Sequence, residues 1–215
     1  MEKHKIIQSH RLTVTENILS KEIIGKRVLE IGSGEYSFSY LEGSKLWIKI
    51  DFSPPCDVIF DFNIQKLNLP FISGSFDLII CTQVLEHLLW PQELLRECYR
   101  MLSWEGKIFL SVPNIVSLTY RIAWLLGRIP SCAASGNLPF ELGSTSYTNN
   151  KDGLRGGHVV DFNLRKIGAL LAFAGFKMVK IKGSGIIWHK QILPYWLVPV
   201  SLASNIICIA HKNIF

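Results

Sequence analysis

The chain has 215 residues, 48% of them hydrophobic and 19% charged, which fits one α/β domain with a substantial core and excludes a disordered chain. Its net charge of +6 fits either an anionic partner or a lysine-rich surface, and the second is favoured because no single basic cluster stands out. The five cysteines form no Cys-x-x-Cys pair and have no histidine at metal-ligand spacing. We therefore expect reduced thiols, a cytoplasmic protein and no metal site.

The glycine loop after the first predicted strand is the stretch around which the chain is organised. A lead-in helix is predicted over Thr15–Ile24, and a short apolar strand over Arg27–Ile31 runs into Gly32 and Gly34. These glycines allow a sharp turn and bring the backbone close to a nucleotide-like ligand.

Residues on both sides of that loop limit the class of ligand that it can bind. Tyr36 and Ser37 stand where a dinucleotide-binding loop has its third glycine, so that fingerprint fails. Glu30 just before the glycines disfavours a pyrophosphate and suits a cationic ligand. An NAD-dependent enzyme is therefore disfavoured.

The next predicted strands end in acidic residues. Strands are predicted over Leu46–Asp51, Asp57–Asp61 and Phe76–Cys81, with a short helix or turn starting at Ser37. Asp51 follows Glu30 by about twenty positions, which is the spacing of a ribose-binding carboxylate in nucleotide folds.

A helix starting near Pro91 and ending at Trp104–Gly106 is predicted next, followed by a strand over Lys107–Val112. Residues 115–157 do not fit a βα repeat, because a helical piece over Ile115–Leu126 leads into a long polar loop. A loop of that length in a compact domain is usually functional. We expect an inserted lid or substrate-binding segment at 115–157.

The C-terminal part alternates helix and strand. Asn163 is predicted to cap a helix that Gly175 ends, and strands are predicted over Phe176–Lys182 and Ile206–His211. The uncharged segment Ile192–Ala210 contains prolines and is interpreted as a broken surface element and a buried strand, not a membrane span.

Aromatic residues in that uncharged region leave two interpretations open. Trp188, Tyr195 and Trp196 near Leu193 and Pro194 are either packing residues or an apolar rim for a lipid-like substrate or a membrane surface.

Ten short segments in this order and spacing carry a family resemblance. They are VLEIGSG (28–34), IDFSP (50–54), DVIFD (57–61), LPF (69–71), SFDLI (75–79), VLEHL (84–88), RMLSWEGK (100–107), SVPN (111–114), GHVVDF (157–162) and AGF (174–176). The chain resembles class I S-adenosylmethionine-dependent methyltransferases of the small-molecule type (methyltransferase types 11 and 23). The resemblance implies one domain, 1–215, with a Rossmann-like, seven-stranded, mostly parallel sheet flanked by helices.

The resemblance also implies a site for S-adenosyl-L-methionine at the carboxyl ends of the strands. Glu30, Asp51, Asp61 and Glu86 suit its positive sulfonium, Asp51 takes the ribose hydroxyls, and Asp61 takes the adenine edge. The implied cofactor-binding set is Glu30, Gly32, Ser33, Gly34, Tyr36, Asp51, Phe52, Asp61, Phe62, Asn63, Thr82 and Gln83.

The implied reaction is an in-line methyl transfer to an oxygen or nitrogen of a small molecule such as a metabolite, sugar or lipid precursor. His87 or His158 is the expected catalytic base if the acceptor is a hydroxyl, although both also fit structural roles. A nucleic-acid acceptor is not expected, because Thr82–Leu85 replaces the base-flipping motif. The alternative is a catalytically inactive methyltransferase-like module, which the departure at Tyr36 keeps open.

Overall fold

The computed structural model describes residues 10–34, 37–129, 158–185, 197 and 199–213. Its strands are β1 (Arg27–Ile31), β2 (Leu46–Asp51), β3 (Val58–Ile59), β4 (Phe76–Thr82), β5 (Leu102–Pro113), β6 (Phe176–Ser184) and β7 (Asn205–Lys212). Its helices are α1 (His10–Glu22), α2 (Pro91–Met101), α3 (Leu118–Leu125) and α4 (Leu164–Phe173), with a 3₁₀ helix at Leu85–His87.

The strands form one seven-stranded sheet in the order β3-β2-β1-β4-β5-β7-β6. β1 to β5 pair in parallel, and β7 runs antiparallel between β5 and β6. The chain order reverses between β1 and β4, and open α/β sheets bind ligands in the crevice at such a reversal. The fold predicted from the resemblance is confirmed.

Each face of the sheet packs against helices because side chains alternate along every strand. Leu29 and Ile31 of β1 belong to the core that includes α2 and α4, whereas Val28 belongs to the core that includes Val14 and Leu19 of α1. Burying a leucine or isoleucine side chain contributes about 1.5–3 kcal/mol, so these two layers hold the strand ends in a fixed relative position.

The cap of α4 is as predicted. The Oδ1 atom of Asn163 accepts a hydrogen bond from the amide of Lys166 at 2.8 Å. Gly175 follows the helix with φ +89°, a left-handed conformation that favours glycine.

Several predicted boundaries are wrong. α1 begins earlier than Thr15 and ends at Glu22, and β3 is limited to two residues. The segment starting at Ser37 forms a turn, which is one of the two predicted possibilities. α2 ends at Met101, before the predicted Trp104–Gly106, because Leu102 already pairs with Phe76. A register shift between Phe76 and Leu78 accommodates the residues that follow Leu102.

The predicted insert is described only in its first part. Within it α3 covers Leu118–Leu125, shorter than the predicted Ile115–Leu126, and residues 130–157 lie outside the described residues. The aromatic residues Trp188, Tyr195 and Trp196 also lie outside them. Among the described residues, we find no helix with the length and apolarity needed to cross a membrane.

Candidate cofactor and acceptor site

The two glycines of the loop differ in the space around their α-carbons. Gly32 has φ +72°, and a β-carbon there would lie 2.2 Å from Cγ2 of Val84. Gly34 has φ +47°, and a β-carbon there would meet no atom of the described residues within 4 Å. The loop therefore packs against the segment after β4 at Gly32 and leaves its backbone approachable at Gly34.

Asp51 connects this loop to the end of β2. Its side chain is 3% exposed, and Oδ2 accepts a hydrogen bond from the amide of Gly34 at 2.8 Å. Oδ1 accepts from the amide of Phe52 at 2.6 Å. Each oxygen keeps a further acceptor lone pair, so the carboxylate can still receive hydroxyl donors.

Ser33 lies between the two glycines and is 2% exposed. Its Oγ is buried and finds no hydrogen-bond partner among the described residues. Buried hydroxyls are normally hydrogen-bonded, so this atom fits a ligand that contributes the missing partner. An orphaned hydroxyl next to the open side of Gly34 matches the polar methyl donor implied by the sequence.

Glu30 lies deeper than the sequence suggests. Its Oε1 accepts from the amide of Phe38 at 2.8 Å, and Oε2 accepts from Oγ of Ser37 at 2.6 Å and from Nε1 of Trp47 at 2.9 Å. Burial raises the pKa of Glu30, and these hydrogen bonds offset only part of that increase. The observed contacts bind the chain after the glycine loop to the sheet, while contact with a ligand stays a prediction.

The residues predicted to meet the adenine lie after β2 and β3. Phe52 is exposed, Phe62 is buried, and the exposed Asp61 accepts a hydrogen bond from the amide of Asn63 at 2.9 Å. Oδ1 of Asn63 accepts from the amide of Leu89 at 2.8 Å. Asn63 thus ties the end of β3 to the loop that follows β4.

The end of β4 carries a backbone feature that the sequence did not reveal. Gln83 lies directly after Thr82. Among the described residues it is the one non-glycine residue whose φ lies in the left-handed region, at +56°. Its amide donates to the carbonyl of Ser111 at 2.8 Å, and Nε2 donates to Oγ of Ser111 at 3.3 Å. Such strained positions concentrate at functional sites, and this one lies at the reversal of strand order.

Glu86, His87 and His158 come together beside these strand ends. The ring centroids of the two histidines are 5.0 Å apart with an interplanar angle of 72°. The potential ligand atoms of all three residues lie within 4.8 Å of one another. The amides of Val159 and Val160 donate to the carbonyl of Glu86 at 2.7 and 3.1 Å and so hold His158 in place.

A shallow surface depression adjoins this group. It is lined by Glu86, Pro113, Ile115, His158, Val160, Asp161 and Phe162. Asp161 was not among the predicted site residues, although it lies in the GHVVDF segment that carries the resemblance. Tyr36 lies outside the described residues, so its contact with the cofactor stays a prediction.

Comparison with known proteins finds methyltransferases. A family model described as a methyltransferase domain matches residues 29–110. A ubiquinone biosynthesis O-methyltransferase from Xanthomonas oryzae pv. oryzae is 29% identical over 117 residues, covering 47% of this chain and 49% of that protein. The chain thus spans about half the length of the curated relative that it matches.

Solved structures share the fold at low identity. An S-adenosylmethionine-dependent methyltransferase from Thermotoga maritima, described as a possible histamine N-methyltransferase, has a TM-score of 0.60 at 15% identity, with 95% of this chain and 91% of that chain covered. A 1,6-didemethyltoxoflavin-N1-methyltransferase from Burkholderia thailandensis, solved with S-adenosylhomocysteine, has a TM-score of 0.53 at 14% identity, covering 96% and 84%.

The matching domain includes the glycine loop, the ends of β2 and β4 and the Glu86–His87 pair, and the fold is shared with the solved neighbours. The chain thus carries a methyltransferase domain over residues 29–110 and shares its fold with S-adenosylmethionine-dependent methyltransferases.

Proposed function

We propose that the protein transfers a methyl group from S-adenosyl-L-methionine to a hydroxyl oxygen of a small molecule. The observation that carries the proposal is the buried Asp51 carboxylate, which is bonded to the open Gly34 at the reversal of strand order. The similarity to an O-methyltransferase supports oxygen as the acceptor atom.

The cofactor, when bound, supplies an electrophilic methyl group on a positively charged sulfur. Asp51 accepts hydrogen bonds from its ribose hydroxyls, and Ser33 and the backbone of Gly34 bind its amino acid part. Phe52 and Asp61 contact the base. Acidic residues at the rim favour the cationic methyl donor over its neutral product, which assists release of the product.

The acceptor is placed beside Glu86, His87 and His158. An unprotonated imidazole nitrogen of His87 or His158 takes the hydroxyl proton, and the adjacent Glu86 carboxylate stabilises the resulting imidazolium. Orienting the acceptor and excluding water are the other requirements of an in-line displacement. Residues 115–157 act as the lid or substrate-binding segment.

Calorimetric titration with S-adenosylhomocysteine tests cofactor binding. The wild type binds, and Asp51→Ala weakens binding at least about tenfold because it removes charge-assisted hydrogen bonds. Asp57→Ala is the matched control. Asp57 is an exposed aspartate just before β3, and its Oδ2 accepts a hydrogen bond from the amide of Lys49 in β2. An unchanged affinity in Asp51→Ala would refute the assignment.

Methyl transfer is then measured with labelled methyl donor and a panel of hydroxylated, amino and carboxylate acceptors. Labelling of hydroxylated compounds alone supports the proposal. Binding of the cofactor without labelling of any acceptor in the panel or in a cell extract supports the alternative, an inactive cofactor-binding module. No binding of the cofactor contradicts both.

We also propose that the C-terminal end of α3 and the residues after it contact an anionic membrane surface. Trp124 and Leu125 at the end of α3, and Leu126 and Ile129 after it, are exposed next to the cationic Arg128. Apolar side chains next to basic ones are typical of interfacial helices. Sedimentation with phosphatidylglycerol vesicles is expected for the wild type and reduced for Trp124→Ser, and equal sedimentation of the two would contradict the proposal.

A further inference from the structure

We propose that Glu86, His87 and His158 form a binding site for a divalent transition-metal ion of the zinc type. One carboxylate oxygen and two imidazole nitrogens lie within 4.8 Å of one another. The sequence predicts no metal site, because its cysteines form no Cys-x-x-Cys pair and no histidine stands at metal-ligand spacing. The fold brings Glu86, His87 and His158 together.

The donor set decides the kind of metal. Two histidines and one glutamate are a ligand set that zinc uses in catalytic sites, where a fourth position stays open. Imidazole favours zinc and its neighbours, whereas magnesium and calcium prefer oxygen donors. Bonds of about 2.0–2.2 Å in a tetrahedral site place ligand atoms about 3.3–3.5 Å apart, so small side-chain rotations would complete the site.

The backbone holds both halves of the site. Glu86 and His87 belong to the 3₁₀ helix directly after β4, where the amide of His87 donates to the carbonyl of Val84 at 3.0 Å. His158 is anchored by the bonds from Val159 and Val160 to the carbonyl of Glu86. Metal ligands that are fixed in this way need little reorganisation when an ion binds.

Burial supports the same assignment. Glu86 is 1% exposed and His158 is 4% exposed, and a bound cation compensates the cost of burying a carboxylate in such an environment.

The role of the ion rests on the proposed function. A zinc ion held by these residues would have an open coordination position for the acceptor's hydroxyl oxygen and would lower the pKa of that hydroxyl, so that its proton would pass to solvent. With the ion bound, His87 and His158 would act as its ligands, and the metal would replace the imidazole base of the metal-free mechanism above.

Zinc titration of tag-free protein, followed by dialysis and elemental analysis, tests the site. The expected result is one tightly held zinc ion per chain. His158→Ala, His87→Ala and Glu86→Gln each lower the affinity at least about tenfold, because each removes a ligand. His211→Gln is the matched control, since His211 lies on β7 with Nδ1 2.7 Å from the carbonyl of Lys212, and it leaves zinc binding unchanged.

Cobalt spectra and cofactor binding separate the possible outcomes. Tetrahedral cobalt absorption without a thiolate charge-transfer band is expected, and a thiolate band, as from the half-buried Cys56, would overturn the assignment. So would an absence of stoichiometric zinc, or equal binding by all variants. Circular dichroism and S-adenosylhomocysteine titration check that the variants fold. Zinc bound to the triad without any cofactor binding would instead refute the proposed function alone.

Discussion

Gly32 and Val84 lie so close that a β-carbon on Gly32 would be 2.2 Å from Cγ2 of Val84. Gly32 follows β1 and Val84 follows β4, the two strands between which the order of the sheet reverses. This contact joins the cofactor loop to the segment that carries Glu86 and His87. The pairing of β1 with β4 and this close contact together place the two halves of the site side by side.

Gly32→Ala is expected to destabilise the protein by about 2–4 kcal/mol, because it adds a steric overlap to a left-handed conformation that alanine adopts at a cost. Urea denaturation measures the change. Gly25→Ala is the control that measures the cost of the left-handed backbone alone. Gly25 has φ +68°, and a β-carbon there would meet no atom of the described residues within 4 Å.

The double variant Gly32→Ala with Val84→Ala measures how much of the destabilisation comes from the steric overlap. Removing the Val84 methyl groups makes room for the new β-carbon, so the double variant should lose less than the sum of the two single changes. An additive result would show that the overlap with Val84 is not the cause.

Gln83 provides a second prediction. Gln83→Gly should be about 1 kcal/mol more stable than Gln83→Ala, because both lose the bond to Ser111 Oγ and only alanine keeps the cost of φ +56°. Chemical denaturation of the two variants provides the comparison. Equal stabilities would mean that the left-handed conformation carries no measurable cost.

The sequence was sufficient to predict the sheet and the edge of the sheet at which the candidate site lies. Alternating or continuous apolar runs located β1 and β2 with the observed bounds, and the acidic residue that ends β2 placed Asp51 at the edge of the sheet. These features are local, since an apolar run bounded by glycine or proline needs no knowledge of the rest of the chain.

Features that depend on contacts between distant segments could not be predicted. The approach of His158 to Glu86 and His87 depends on the bonds from Val159 and Val160. The early start of β5 depends on the pairing of Leu102 with Phe76. The burial of Glu30 against Trp47 likewise requires the register of β1 and β2, which no local pattern specifies.

Glu30 leads to a prediction about pH. Burial raises its pKa above the value in the unfolded chain, which is about 4.3, so the folded state holds the proton more tightly. Between those two pKa values the free energy of unfolding therefore falls as pH rises. The stability of the wild type relative to Glu30→Gln should decrease over that window, as measured by urea denaturation at several pH values.

Trp47→Phe supplies the control for Glu30. It removes one donor, Nε1, from the carboxylate, so the pKa of Glu30 should rise further and the pH dependence should become steeper. If the wild type instead gained stability over Glu30→Gln as pH rises, the hydrogen bonds to Glu30 would outweigh its burial.

Asp77 should show the opposite dependence. Hydrogen bonds from Arg27 hold the pKa of Asp77 well below its usual range. A lowered folded pKa means that the stabilisation is present above the unfolded value of about 3.9 and is lost as pH falls through the folded pKa. Asp77→Asn should thus cost about 1–2 kcal/mol near pH 7 and progressively less as pH falls below about 4. The estimate is modest because the Arg27 and Asp77 side chains are 36% and 24% exposed, so solvent screens the pair.

Arg27→Met tests whether the charge pair causes the effect of Asp77. It should remove most of the same pH-dependent part, since only the backbone amide of residue 27 and Oγ of Ser103 still donate to Asp77 among the hydrogen bonds of the described residues. Adding Asp77→Asn to it should therefore change the pH profile much less than Asp77→Asn does in the wild type. Ser103→Ala, which removes only the 3.0 Å bond to Oδ1 of Asp77, should keep most of the dependence. Urea denaturation of the set at matched pH values would contradict this account if Arg27→Met kept the full pH profile of the wild type, since the stabilisation at Asp77 would then come from groups other than Arg27.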